Sequence, residues 1–103
     1  MTQRIRMLGV VLAGVMSMPV AFAAPQASGE MMGNTCAGCH GTHGRLSGEA
    51  FVPLAGMKEV TFIKAMADFR SGTRPATLMG HIARGYSDEQ IKAMAEFFAK
   101  VKP

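Results

Sequence analysis

Both cysteines of the chain, Cys36 and Cys39, lie in the stretch NTCAGCHGTHG, residues 34–44. His40 follows the second cysteine directly, and His43 lies three residues further on. Three kinds of chemistry use cysteines in such a pattern: a redox dithiol, a zinc site, and the covalent attachment of a haem. Each of them makes a different demand on the rest of the sequence.

The five residues CAGCH match C-x-x-C-H, the pattern at which haem c is attached. Thiols three residues apart on one helical turn can each add to a vinyl group of one porphyrin, and the adjoining His40 can then present its imidazole to the iron. A redox dithiol favours a βαβ setting, which the sequence does not indicate. A structural zinc needs four ligands, and Cys36, Cys39, His40 and His43 crowd them into eight residues. The pattern therefore favours one covalent haem c on Cys36 and Cys39 with His40 as an iron ligand; zinc and a dithiol remain as alternatives.

The first 23 residues are typical of a cleaved signal peptide. Arg4 and Arg6 precede an apolar run over residues 7–20, and Ala21 and Ala23 supply the small residues of a cleavage site after Ala23. An uncleaved membrane anchor is the alternative, but a spanning helix needs about 20 apolar residues and this run is shorter and interrupted by glycines. We expect export to the periplasm and no stable membrane anchor.

Residues 24–103 are expected to form one domain. Loss of Arg4 and Arg6 with the leader leaves nine basic and seven acidic residues, a net charge of +2, and no basic run that would suggest nucleic-acid binding. A domain of this size usually needs a staple in addition to its core. A Cys36–Cys39 disulfide would close a very short loop and stabilise little. The composition therefore favours a large apolar group at the centre.

Three main helices separated by long loops make the expected fold all-α. The first runs from about residue 30 to 39, and residues 41–57 contain the glycines and prolines of a loop. The second covers residues 58–71, with an apolar stripe and a stop at Gly72. Ser87 and Gln90 predict a capping box for the third helix. The expected stripes are, for the second helix, Phe62, Ile63, Met66 and Phe69, and, for the third, Ile91, Met94, Ala95, Phe98 and Val101.

The second axial iron ligand must come from elsewhere in the chain. Met66 and Met94 lie on helical stripes, where methionine usually fills a core, and Met31 and Met32 are too close to Cys36 to reach the opposite haem face. Met79 lies in the loop TRPATLMGHIARGY, which has at most a turn or two of helix, and is the favoured ligand. Met57, His81 and His43 remain as alternatives.

With C-x-x-C-H near the start of residues 24–103 and a methionine loop between the last two helices, the chain resembles the class I cytochromes c over essentially this whole length. The portions DFRSGTRPATLMG and IARGYSDEQI are similar to the cytochrome subunit of flavocytochrome c sulfide dehydrogenase. The resemblance implies a small single-haem fold with Cys36 and Cys39 as haem thioethers, His40 as proximal ligand and Met79 as distal ligand. It further implies that the carbonyl of Pro53, in VPLAG, receives the ring N–H of His40.

The same resemblance implies a periplasmic electron-transfer subunit that is not an enzyme by itself. It would accept electrons from an FAD-containing flavoprotein that oxidises sulfide and pass them to a downstream carrier protein. A free, diffusible electron shuttle is the alternative. The methionine loop is expected to contribute to the docking surface through its polar and aromatic members Arg74, His81, Arg84 and Tyr86, which could instead form a solvated rim or neutralise a haem propionate.

Overall fold

The structure is a computed structural model that describes residues 25–46, 48 and 50–103. The expected signal peptide, residues 1–23, lies outside the described residues. Five α-helices follow one another: α1 (Gly29–Gly33), α2 (Ala37–His40), α3 (Glu59–Ser71), α4 (Met79–Arg84) and α5 (Asp88–Lys100). Turns of 3₁₀ helix at Asn34–Cys36 and Thr42–Gly44 flank α2. The described residues contain no strand, so the all-α fold class is confirmed.

The short helix α1 crosses α5 at very close range. Ser28 caps α1, because its hydroxyl accepts a hydrogen bond from the backbone N–H of Met31 at 3.1 Å. A Cβ atom at Gly29 would lie 2.0 Å from the carbonyl oxygen of Ala93 on α5, and one at Gly33 would lie 2.8 Å from the ring of Phe97. Only glycine permits this approach, which fixes where the chain enters the cysteine segment.

The helix α3 ends as its sequence indicates, and a further short helix follows. Gly72 adopts the left-handed conformation, φ 80°, after the last residue of α3. Met79 begins α4, which is six residues long and within the one or two turns expected for the methionine loop. Ala83 of α4 is fully buried, so α4 is packed into the core.

The helix α5 supplies the largest share of the core. Its capping box is present: Ser87 Oγ accepts from Gln90 N at 3.2 Å, and Gln90 Oε1 accepts from Ser87 N at 2.8 Å. The buried apolar side chains of α5 pack with those of the other elements. Among the described residues, the buried apolar set is Met32, Leu54, Ala55, Phe62, Met66, Ala83, Ile91, Met94, Ala95 and Phe98. The expected stripes are therefore confirmed for most of their members.

Three members of the expected stripes are less buried than the rest. Ile63 is 37% exposed, because it lies about 100° round the helix from Phe62. Phe69 lies at the edge of the core and is half-buried. Val101 is also half-buried, since α5 ends at Lys100 and the chain turns to an extended conformation at Val101.

Backbone hydrogen bonds stabilise the loop between α2 and α3. Gly44, φ 75°, uses its carbonyl to accept from Leu54 N at 2.9 Å and Ala55 N at 3.1 Å. Gly56 N donates to Phe98 O at 2.8 Å and so attaches the loop to α5. Among the residues described, no helix has the length and apolar character needed to cross a membrane.

Candidate functional site

The cysteine segment turns over α2 and its preceding 3₁₀ turn, so Cys36, Cys39 and His40 lie within about one helical turn of one another. Neither thiol is engaged in a disulfide. Cys36 is half-buried and packs against the core, whereas Cys39 is exposed. Two thiols with this placement are available to form bonds with a single group that lies over the turn.

The imidazole of His40 is fixed by the backbone of the following loop. Its Nδ1 lies 2.7 Å from the carbonyl oxygen of Val52. A carbonyl oxygen can only accept, so this hydrogen bond requires the proton on Nδ1 and leaves the lone pair of a neutral ring on Nε2. Histidines that bind metals are oriented in this way. The accepting carbonyl belongs to Val52, so the expectation for Pro53 is wrong by one residue: Pro53 follows the acceptor and restricts its backbone to extended conformations.

Apolar side chains next to the candidate ligands are exposed to solvent. The ring of Phe51 meets that of His40 edge-on, with centroids 5.9 Å apart, and Phe51 is 47% exposed. Val52 is 51% exposed, and Leu78, next to Met79, is 55% exposed. A flat apolar group bonded to Cys36 and Cys39 could cover these exposed apolar side chains. The donor atoms and the apolar surroundings therefore fit a haem c.

The environment of Cys36 argues against the dithiol alternative. Burial raises the pKa of the Cys36 thiol, and the nearby Cys39 adds to the rise. A redox-active cysteine needs the opposite shift, because the thiolate is the nucleophile.

The zinc alternative finds no ligand set within residues 25–46, 48 and 50–103, where no three His, Cys, Asp or Glu side chains are grouped so that they could hold a metal ion. His43, which that alternative requires, lies edge-on against Phe97 of α5 with ring centroids 5.9 Å apart. The backbone of His43 has φ 54°, in the left-handed region that few residues other than glycine adopt.

Met79 and its rivals have different surroundings. Met79 is half-buried and packs against the core cluster that Cys36 also contacts, and Met57 shares this property. His81 is exposed, and its Nδ1 accepts a hydrogen bond from Arg84 Nη2 at 3.1 Å. These contacts favour a methionine over His81, and the position of Met79 at the first residue of α4 is consistent with the favoured assignment.

A groove of about 190 Å³ lies beside the methionine loop. Its basic members are Arg74, His81 and Arg84, and its lining includes no acidic residue; the other lining residues are Phe69, Gly72, Pro75, Ala76 and Gly80. We call it the basic groove. The guanidinium of Arg74 lies 4.8 Å from the centre of the Phe69 ring, a cation–π contact. Tyr86 is not among the lining residues; it is half-buried and its hydroxyl lies 2.8 Å from Thr35 Oγ1.

Comparison with known proteins identifies the family. The chain is 35% identical to the cytochrome subunit of sulfide dehydrogenase from Chlorobaculum tepidum, over 90% of this chain and 84% of that protein. It is 31% identical to cytochrome c-553 of Nitratidesulfovibrio vulgaris, over 77% of this chain and 81% of that protein. The chain belongs to the class I cytochromes c. No family model matches it.

Membership of the class I cytochromes c identifies the cofactor as haem c and the function as electron transfer. These relatives are c-type cytochromes, which carry covalently bound haem c and transfer electrons without being enzymes by themselves. The chain is also 45% identical to the thiosulfate dehydrogenase electron acceptor of Stutzerimonas stutzeri, over 64% of this chain and 32% of that protein. The relatives thus include a cytochrome subunit of sulfide dehydrogenase and an electron acceptor of thiosulfate dehydrogenase.

Two residues of the site escape sequence reasoning. Val52 acts through its carbonyl, and the only signal for it is its place before Pro53, where the backbone is restricted. Thr35 contacts Tyr86, but 51 residues separate them and no local pattern connects them.

The His40–Val52 hydrogen bond predicts an effect of Pro53 on the reduction potential. A donated Nδ1 proton makes the imidazole more basic, which favours ferric iron if His40 is the ligand. Pro53→Ala frees the backbone of Val52 and weakens this bond, so the potential should rise, by up to about 60 mV for a hydrogen bond worth up to about 1.5 kcal/mol. Protein-film voltammetry measures the change. Pro25→Ala, at an exposed residue before α1, is the control; a potential that falls or stays unchanged in Pro53→Ala would contradict the role of Val52.

Proposed function

We propose that this cytochrome is a periplasmic protein that accepts electrons from an FAD-containing flavoprotein oxidising sulfide and passes them to another carrier protein. Its N-terminal residues 1–23 act as the signal peptide for export and are removed. The observation that carries the proposal is the similarity along 90% of the chain to a cytochrome subunit of sulfide dehydrogenase. The geometry of the site is consistent with it.

Four side chains hold the haem in this proposal. Cys36 and Cys39 would form the thioether bonds, and the His40 nitrogen and the Met79 sulfur would bind the iron. A haem held in this way would supply one-electron chemistry. His40 is kept by Val52 in the tautomer whose Nε2 is free to bind a metal. A thioether from Met79 raises the reduction potential, which suits an acceptor of electrons.

The basic groove is the part of the surface that we assign to the flavoprotein. It adjoins Met79, because Gly80 and His81 line it. Arginine is enriched where protein interfaces are most buried, and the exposed Leu78 adds apolar surface beside the groove. We therefore expect the partner to present carboxylates there. Tyr86 does not line the groove, and its hydroxyl is hydrogen-bonded to Thr35.

A free electron shuttle remains the second candidate. The observation that favours it is the 45% identity, over 64% of the chain, to a protein named as an electron acceptor of thiosulfate dehydrogenase. An acceptor of that kind can leave its reductase after each transfer. The two candidates differ in whether a flavoprotein stays bound.

Loss of the Met79 thioether tests the ligation. Met79→Ala should abolish the sulfur-to-iron charge-transfer band of the ferric protein and lower the potential by on the order of 100 mV, a fraction of the roughly 0.8 V that axial ligands control. Visible spectroscopy and voltammetry measure these changes, and cyanide affinity should increase through the opened position.

Met57→Ala is the matched control, because Met57 is also half-buried against the core. It should keep the band and the potential. Loss of the band in Met57→Ala with retention in Met79→Ala would transfer the ligand role to Met57, and retention in both would direct the search to His81.

Reversal of a groove charge tests the partner. The tagged protein, purified from its native source, should bring with it an FAD protein that reduces the haem when sulfide is added. Arg84→Glu should weaken this complex by at least about tenfold, or about 1.4 kcal/mol, because it places like charges against the partner's carboxylates. Titration by calorimetry measures the affinity, and the haem spectrum should not change.

Lys92→Glu is the control, since it makes the same charge change on an exposed residue of α5 outside the groove. Equal losses in both variants would remove the groove from the interface. A monomer without flavin that takes no electrons from a sulfide-reduced flavoprotein would establish the free shuttle instead.

A further inference from the structure

A chain of hydroxyl hydrogen bonds connects the end of α4 with the cysteine segment. Thr35 Oγ1 lies 2.6 Å from the carbonyl oxygen of Met32 and 2.8 Å from the hydroxyl oxygen of Tyr86. A carbonyl can only accept, and a threonine hydroxyl has one hydrogen to give. Thr35 therefore donates to Met32, and Tyr86 donates to Thr35. The Thr35–Tyr86 bond joins a residue that precedes Cys36 in the sequence to a residue that follows Met79.

The backbone of Tyr86 is anchored as well. Its carbonyl accepts from Arg70 Nη2 of α3 at 2.6 Å, and Arg70 Nη1 lies 2.5 Å from a carboxylate oxygen of Asp88 at the start of α5. The Tyr86 side chain packs against the core cluster. Tyr86 is thus attached to α3 by its backbone and to the cysteine segment by its hydroxyl.

The loop that leads into the other end of α4 lies at the surface. Every residue from 71 to 78, the loop that leads into Met79, is exposed. Near the start of this loop the hydroxyls of Ser71 and Thr73 lie 2.8 Å apart, and Ser71 Oγ also lies 3.2 Å from the carbonyl oxygen of Asp68 at the end of α3. Since α4 is six residues long, or about 9 Å at 1.5 Å per residue, a restraint at its C-terminal end also restrains Met79.

We propose that Tyr86 is a positioning residue for the distal ligand. Its hydroxyl bond to Thr35, the residue before Cys36, fixes α4 and therefore Met79 relative to the segment that holds the haem. This inference rests on the proposed ligation by Met79. It gives Tyr86 a role inside the protein that its loop did not suggest.

The rate of cyanide binding to the ferric haem protein tests the proposal, because cyanide enters when Met79 leaves the iron. Tyr86→Phe removes only the hydroxyl, and Thr35 can still donate to Met32. The cyanide-binding rate should rise about two- to tenfold, the factor expected for one hydrogen bond. Thr35→Val should have a similar effect, whereas Thr35→Ser, which keeps the hydroxyl, should retain the original rate.

Thr73→Val is the matched control, since it breaks a hydroxyl pair of the same length on the other side of Met79. The Met79→Ala variant gives the cyanide-binding rate of a haem without the Met79 ligand. A rate unchanged in Tyr86→Phe but raised in Met79→Ala would overturn the positioning role alone. A Met79→Ala rate equal to that of the unmodified protein would overturn both the ligation and the positioning role.

Discussion

The crossing of α1 over α5 is the contact on which the rest of the structure depends. Gly29 allows the two backbones to approach until there is no room for a side chain between them. A helix of five residues has little stability of its own, so α1 exists because this contact and its Ser28 cap hold it. The cysteine segment begins directly after α1, and its direction is therefore set by the crossing.

The proposed haem ligands, His40 and Met79, are far apart in the sequence, and polar contacts position each of them. His40 is oriented by Val52, which lies in a loop that Gly56 attaches to α5. Met79 begins a helix whose far end is fastened to Thr35 through Tyr86. Exposed apolar side chains lie next to both ligands. A covalent haem would cover such surface and complete the core.

Much of this could be predicted from sequence because the signals are local. The capping box of α5, the stop at Gly72 and the C-x-x-C-H turn each depend on residues within one or two helical turns. The carbonyl for His40 was expected one residue too far along, since the direction of a carbonyl depends on the backbone of the folded loop. The Thr35–Tyr86 bond spans 51 residues, and no periodicity records a contact between side chains that only tertiary packing brings together.

We propose that haem c, attached through Cys36 and Cys39, completes the fold. Thermal denaturation of the Cys36→Ala/Cys39→Ala double variant, followed by circular dichroism, tests it most directly. The ten buried apolar residues of the described chain are a small core, and a small domain without a staple is marginal. We expect a protease-sensitive chain without a cooperative transition, whereas the haem protein should melt cooperatively. A cooperative transition in the haem-free variant would show that the domain folds without haem.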